Sequence, residues 1–157
     1  MKVVYGNRSQ AAFDTLDMRL QRILLYIKNV LCIDHSILEG YRDKETQNRY
    51  YEQRPRITTL KWPDSAHNHN PSYAVDVVPY VRIKGIKGGI HWNNQDSMIR
   101  EKYYKDMVMF ATTFKMVGLL LFQTEVTLGM DWNNNYTLTD EGKFTDFPHI
   151  ELSRNRA

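Results

Sequence analysis

Three of the five histidines stand at positions that a hydrophobic core would not require. His67 and His69 lie in a segment rich in Pro, Asn and Ser, and His149 directly follows a proline. Asp76 is a single carboxylate among β-branched residues, where a buried charge is costly unless it is paired or bound to a metal. Two imidazoles and a carboxylate form a typical catalytic zinc set that leaves a fourth position open. His67, Asp76 and His149 could supply it, although each histidine taken singly is better explained as a solvated or hydrogen-bonded side chain, and only the combination favours a metal site.

Three further residues could take part in chemistry at such a centre. Asp146 stands three residues before His149, where a carboxylate could act as a general base, and a turn or capping role is the alternative. Arg42 offers a fixed fork of donors for a substrate carboxylate or a developing oxyanion, and a surface ion pair is its alternative. Trp132 could line a substrate groove or pack in the core.

Two segments carry a family resemblance. Residues 65–76 read SAHNHNPSYAVD, and residues 146–152 read DFPHIEL. Together they resemble the zinc peptidase family of D-Ala-D-Ala carboxypeptidases and L-alanyl-D-glutamate endopeptidases, with phage endolysins as the nearest type. The segments EGYR at 39–42, with Gln47, and GMDW at 129–132 are similar to further family segments in the same order.

The resemblance implies an α+β fold of the hedgehog-type metallopeptidases, in which a small mixed or antiparallel sheet with flanking helices carries one zinc ion. It implies that the zinc is held by His67, Asp76 and His149. It also implies that Asp146 is the general base, and that Arg42 acts in catalysis. The implied substrate-binding residues are Arg42, Gln47 and Ser65.

The spacing of the loop histidines leaves one alternative open. In many relatives six residues separate the first histidine ligand from the aspartate, which would select His69 here. The longer phage form has a wider spacing, which selects His67. The residues that fit the longer form are Ser65, Asn68, Pro71 and Ser72. We therefore expect His67 to be the ligand and keep His69 as the alternative.

Helical and extended patterns alternate around these residues. Apolar residues at every third or fourth position predict an amphipathic helix over 9–30 and another over 95–117 that ends at Gly118. A polar helix is predicted over 43–53. Strands are predicted near residue 37 and over 73–80, 126–128 and 149–152, with an irregular loop over 54–72 and a turn over 84–89. This mixed order predicts an α+β fold.

The composition is that of one globular domain. The chain has 157 residues, 42% of them hydrophobic and 25% charged. We expect a single zinc peptidase domain over 1–157, with a core from about 9 to 152 and no separate cell-wall-binding domain. The single cysteine, Cys32, excludes an intrachain disulfide framework and a multi-cysteine zinc cluster. No stretch reaches the roughly 18 apolar residues of a membrane span, so we expect no membrane insertion.

The net charge of +3 is mild and unclustered, which gives little reason to expect nucleic-acid binding. A metal-dependent nuclease is nevertheless the alternative from another class, although the consecutive letters HNH at 67–69 are not the HNH nuclease motif, whose residues are spread over a ββα unit. The resemblance implies peptidoglycan stem peptides as the substrate. Cleavage between L-alanine and D-glutamate is the favoured reaction, and removal of a terminal D-alanine by the same zinc centre is the alternative.

The N-terminus becomes polar before the apolar region of a signal peptide can form. We therefore expect a monomer made in the cytoplasm of a phage-infected host. On this view it reaches the cell wall through a separate, holin-like pore protein.

Overall fold

The computed structural model describes residues 5–83, 85–135, 137 and 145–153. Its α-helices are α1 (Asn7–Phe13), α2 (Met18–Asn29), α3 (Lys44–Glu52) and α4 (Ser97–Phe122). Its strands are β1 (His35–Glu39), β2 (Ala74–Pro79), β3 (Val81–Ile83), β4 (Ile86–Gly89), β5 (Val126–Leu128) and β6 (His149–Leu152). This mixture confirms the predicted α+β class.

The central sheet has the order β1-β2-β6-β5, and every neighbouring pair is antiparallel. Residues opposite each other in such a pair present their side chains on the same face. The register places Asp76 of β2 opposite His149 of β6 and also opposite Glu39 of β1. Asp76, His149 and Glu39 are thus brought to one region of one face of the sheet.

The opposite face of the sheet carries the main core. Because side chains alternate along a strand, Val75 and Val77 of β2 point toward the helices while Asp76 points away. The fully buried core positions from the helices include Leu20, Ile23, Leu24, Ile27 and Phe114. This packing makes β2 a firmly held platform for the polar residue between the two valines.

The predicted helix over 9–30 is wrong in one respect, because it is two helices. The chain leaves helical geometry between α1 and α2, where the backbone of Thr15 and Asp17 exchanges hydrogen bonds with Ser72. Asp17 then caps α2 by accepting from the N–H of Arg19 at 2.9 Å. Leu16 at the break is 3% exposed, so the apolar periodicity continues through a segment that is not helical.

The prediction that Gly118 ends the second long helix is also wrong. Helix α4 continues to Phe122 and is followed by Gln123 at a φ of 51°. A Cβ at position 118 would lie 2.9 Å from the Ile23 side chain and 2.8 Å from the Thr124 carbonyl oxygen. The glycine therefore serves the close approach of α2 to α4 rather than a helix end.

The other elements agree with the sequence patterns more closely. The polar helix and the four predicted strands are present, and the loop over 54–72 contains only one regular piece, a 3-10 helix at Ala66–Asn68. The predicted turn over 84–89 is narrower, since Gly85 has a φ of 81° and Ile86–Gly89 already forms β4. Residue 84 and residues 138–144 of the Asn-rich loop lie outside the described residues. Among the described helices, none has the length and apolarity needed to cross a bilayer.

Candidate active site

The loop before β2 brings His67 to the sheet through the 3-10 helix. Ser65 precedes this helix, and its hydroxyl oxygen accepts a hydrogen bond from the N–H of His67 at 3.3 Å. The ring of His67 is 2% exposed, with Nδ1 lying 2.6 Å from the carbonyl oxygen of Gly40. The N–H of Arg42 donates to the carbonyl oxygen of His67 at 2.9 Å. His67 is therefore held against the end of β1 by both its backbone and its ring.

Three donor atoms converge above β2 and β6. Asp76 Oδ1 lies 3.1 Å from His149 Nδ1 and 3.3 Å from His67 Nε2, and the two ring nitrogens are 3.2 Å apart. Tetrahedral ligand atoms around a zinc ion at about 2.0–2.1 Å are roughly 3.3 Å from one another. The three atoms thus have the mutual spacing of ligands to one ion.

The remaining ring nitrogens show that this cluster needs a cation. His67 Nδ1 faces a carbonyl oxygen and His149 Nε2 lies 3.1 Å from Glu151 Oε2, so both of these nitrogens must carry hydrogen. In neutral rings, His67 Nε2 and His149 Nδ1 then direct lone pairs toward each other and toward the carboxylate of Asp76. Such an arrangement is repulsive unless a proton or a metal ion lies among the three atoms, and the donor set fits a metal ion.

The pKa shifts of Asp76 and His149 in the absence of a metal also indicate that the cluster favours a positive charge among its atoms. Burial opposes ionisation of Asp76, but the charges and hydrogen bonds of His67 and His149 hold the pKa of this carboxyl well below its usual range. Burial likewise opposes a charge on His149, yet its contacts with Asp76 and Glu151 raise the pKa of His149 to about 10. The site therefore retains positive charge strongly.

The cluster lies in a cleft of about 830 Å³. Its walls come from β1, the loop before β2 and the segment before β6, and they include Glu39, Arg42, Ser65, Trp132 and Asp146. The cleft thus places candidate catalytic side chains and the candidate metal centre in one space.

Asp146 is half-buried at the edge of this cleft. Its carbonyl oxygen accepts from the N–H of His149 at 3.1 Å, and its own N–H donates to the carbonyl oxygen of Gly129 at 2.8 Å. Burial raises the pKa of Asp146, the charge of Asp76 adds to this effect, and His149 among others opposes it. A carboxyl with a raised pKa is suited to accepting and returning a proton.

Arg42 is 6% exposed and is held by several side chains at once. Its Nε and one terminal nitrogen donate to Glu39 Oε2, and its other terminal nitrogen donates to Gln47 Oε1 at 3.1 Å. The guanidinium also lies 3.9 Å from Asp76 Oδ2 and 5.0 Å from the ring centre of Tyr50. These contacts fix the guanidinium of Arg42 beside the cluster of His67, Asp76 and His149.

Gln47 lies behind Arg42, with 0% of its surface exposed. Its amide nitrogen donates to the Leu60 carbonyl oxygen at 2.6 Å, and its oxygen accepts from Arg42 and from Asn68. The side chain therefore connects three parts of the site, and its predicted contact with substrate stays a prediction. Ser65, by contrast, lines the cleft.

The structure separates the two loop histidines. His67 joins Asp76 and His149, whereas His69 is exposed and stacks on Tyr73 with ring centres 4.2 Å apart.

Glu151, which the sequence patterns did not single out, orients His149. Its position two residues after that histidine, on the same face of a strand, is the signal that could have found it.

Trp132 is the second residue whose place at the site the sequence left open. Its ring lies 5.2 Å from that of His149 and lines the cleft. It follows Asp131, which is 2% exposed and paired with the buried Lys115 at 3.3 Å. Of the two alternatives for Trp132, the structure therefore supports the position in the groove. Its buried neighbour Asp131 holds this part of the chain through the ion pair with Lys115.

Fold and cleft define an α+β protein that carries a candidate metal centre of two histidines and one carboxylate on an antiparallel sheet. The family model described as phage L-alanyl-D-glutamate peptidase matches residues 1–153. The chain belongs to this family of phage L-alanyl-D-glutamate peptidases. It is thus a peptidase that acts on peptidoglycan, and both the predicted family and the predicted endopeptidase type are confirmed.

A solved structure shows the same fold. The L-Ala D-Glu endopeptidase ChiX of Serratia marcescens is similar with a TM-score of 0.59 and 18% sequence identity. The match covers 97% of this chain and 91% of that chain. At this level of identity the likeness concerns the fold. No curated protein matches the chain.

Proposed function

We propose that the cleft hydrolyses the amide between L-alanine and D-glutamate in stem peptides with the help of one zinc ion. The ion would be held by His67, Asp76 and His149. The observation that carries this proposal is the convergence of two lone-pair nitrogens and a carboxylate oxygen within 3.1–3.3 Å of one another. Two imidazoles and one carboxylate with a fourth position open form a catalytic zinc set of the kind found in peptidases.

When bound, zinc supplies Lewis acidity, which eases deprotonation of water near neutral pH and polarises a carbonyl group. Asp146 accepts the proton of the attacking water and returns it to the amine that leaves. Its raised pKa brings its proton affinity closer to what this shuttle needs. Because Asp146 stands outside the ligand set, its carboxylate remains available for the proton.

Arg42 binds and orients the substrate in this proposal. Three of its five N–H donors are used by Glu39 and Gln47, so two remain for a substrate carboxylate or for the oxygen that gains charge during attack. Gln47 is a positioning residue that keeps the guanidinium in place. Ser65 uses its oxygen to accept from His67 and keeps its hydroxyl proton for a substrate carbonyl.

We further propose that the protein is a single-domain endolysin, supported by the family match over residues 1–153. In this role it acts as a monomer and reaches the host cell wall through a separate pore protein. Its phage family supports a role in lysis.

Digestion of purified muropeptides tests the proposed reaction. We expect the zinc-loaded protein to release peptides with a new amino-terminal D-glutamate, a chelator to stop the reaction, and added zinc to restore it. Mass spectrometry identifies the bond that is cut. Loss of terminal D-alanine alone would assign the carboxypeptidase reaction instead, and intact muropeptides beside cut plasmid DNA in a parallel sample would overturn the peptidase proposal.

A further inference from the structure

A second cavity lies next to the cleft that holds the cluster of His67, Asp76 and His149. This second cavity has a volume of about 500 Å³ and shares Arg8, Leu38 and Trp92 with the cleft. Its other lining residues are Ile90, His91, Asn93 and Asn94. The shared residues make the two spaces neighbours, with Trp92 at their junction.

The lining of the second cavity has the chemistry of a sugar site. Trp92 is half-buried and offers an indole face for the C–H groups of a pyranose ring, while Leu38 and Ile90 provide apolar contacts. Asn93 and Arg8 offer donors and an acceptor for hydroxyl and amide groups. The described lining includes no carboxylate, and Arg8 has no ion-pair partner among the described residues.

His91 adds an unsatisfied polar atom to this wall. It is 7% exposed, and its Nε2 is the one buried side-chain nitrogen or oxygen without a hydrogen-bond partner among the described residues. A buried polar atom without a partner is unfavourable, because it has lost its hydrogen bonds to water. Its presence beside a cavity indicates a wall built to meet polar groups rather than a closed apolar core.

The chemistry of the substrate requires a site of this kind close to the metal cluster. In peptidoglycan the first residue of the stem peptide, L-alanine, is attached to the lactyl group of an N-acetylated sugar. One residue spans at most about 3.3–3.6 Å, so a sugar lies next to the amide that the enzyme cuts. The cleft is also lined by Tyr50 and the loop residues 57–60, none of which lines the second cavity, and these residues offer a wall for the remaining peptide.

We propose that the second cavity binds the N-acetylated sugar to which the stem peptide is attached, with Trp92 as the stacking platform and Arg8 as a polar contact. This inference rests on the proposed function, because it places the cut amide at the metal cluster. The cavity thereby makes the enzyme select a glycan-linked peptide over a free peptide of the same sequence.

Competing hydrolysis of two substrates tests this selectivity. One is a disaccharide-linked stem tetrapeptide, and the other is the same tetrapeptide without sugar. We expect the zinc-loaded native protein to cleave the glycan-linked substrate with a kcat/KM about tenfold higher or more, which corresponds to about 1.4 kcal/mol. Trp92→Ala should bring this ratio close to 1, and Trp62→Ala, which alters a tryptophan that lines neither cavity, should keep it.

A second variant guards against a folding defect, since Trp92 also packs against the smaller core cluster around Tyr103. Arg8 is exposed on α1, so Arg8→Ala should fold normally and still lower the preference several-fold. Equal rates of the native protein on both substrates, or an unchanged preference in both variants, would overturn the inference while leaving the proposed function in place.

A binding measurement separates the two proposals. Titration of the zinc-free native protein with the free N-acetylated disaccharide, followed by the NMR signals of the indole N–H groups, needs no catalysis. We expect the Trp92 signal to shift, and Trp92→Ala to weaken the binding. If neither substrate is cleaved but the disaccharide binds at Trp92, the proposed function fails alone, and absence of any shift counts against the sugar site.

Discussion

In His67 and His149, the ring nitrogen that faces away from Asp76 decides the protonation of the nitrogen that faces it. The carbonyl of Gly40 and the carboxylate of Glu151 require hydrogen on the far nitrogens of His67 and His149. The near nitrogens are then lone-pair donors aimed at the same point as Asp76 Oδ1. Outer partners of this kind orient metal ligands and raise their basicity, so Gly40 and Glu151 would support a metal ion held by the three donor atoms.

The loop histidines provide a matched pair of variants for metal binding. We expect His67→Ala to lose most of its zinc, because the cluster then keeps only two ligands, whereas His69→Ala should keep about one zinc per chain. Metal analysis after zinc loading and gel filtration measures both. Loss of zinc by the His69 variant alone would move the candidate centre to the other histidine.

Asp146→Asn should retain zinc and lose activity by roughly two to four orders of magnitude, since an amide has the shape of the carboxylate but cannot take the water proton. Rates on muropeptides together with the metal content measure this effect. Asp14→Asn is the control, because Asp14 is exposed and does not line the cleft. A rate within a few-fold of the native one would remove Asp146 from the mechanism.

At the scale of elements, Gly129, which directly follows β5, holds the segment at Asp146 against His149 at the start of β6. Gly129 accepts from the N–H of Asp146 and donates to the carbonyl oxygen of His149, both at 2.8 Å. A Cβ at position 129 would clash with the carbonyl oxygen of Asp146 and would lie 2.9 Å from the Cβ of His149. The glycine is therefore needed for two chain segments to meet at the cleft.

We expect Gly129→Ala to lower the free energy of unfolding by about 1–3 kcal/mol and to reduce kcat strongly, because Asp146 must move away from His149. Chemical denaturation and muropeptide hydrolysis measure the two effects. Gly89→Ala is the matched control, since no atom lies within 4 Å of a Cβ there, and its stability should stay within about 0.5 kcal/mol of the native value. If Gly129→Ala had the same stability and activity as Gly89→Ala, position 129 would tolerate a side chain.

At the scale of the whole molecule, a buried histidine links stability to pH. His35 at the start of β1 is 3% exposed, with Nε2 lying 2.6 Å from the hydroxyl of Tyr5 and Nδ1 3.0 Å from the Ile33 carbonyl oxygen. Burial lowers the pKa of His35 to about 4, against an ordinary value of 6.5, and the nearby Lys28 adds to this. The folded protein therefore holds the neutral ring.

The unfolded chain binds the proton of this ring first as the pH falls, so stability declines from about pH 6.5 to about pH 4 and the contribution of His35 is constant below that range. The full loss is about 3 kcal/mol. His35→Gln should flatten this part of the profile relative to the native protein, as measured by denaturant unfolding at several pH values. The exposed His69→Gln serves as the control, and an unchanged slope in His35→Gln would refute the linkage.

The sequence was sufficient to predict most of the helices and strands and to single out the three residues, His67, Asp76 and His149, that converge in the structure. Asp76 between β-branched residues and His149 after Pro148 are local patterns, because a strand buried on one face admits a carboxylate only where it has a partner. The resemblance extended these patterns to the family, and the family match over residues 1–153 confirms it. The α+β class followed from periodicity alone.

Tertiary structure decided the remainder, because the relevant partners are distant in sequence. The break between α1 and α2 depends on hydrogen bonds to Ser72, and the unbroken α4 at Gly118 depends on the side chain of Ile23. The strand register alone sets Asp76 opposite His149 and brings Glu151 to the same face. Local sequence patterns indicate which side chains are buried and which need a charged partner. Strand pairing determines which of these side chains come into contact, because long-range packing overrides local preference.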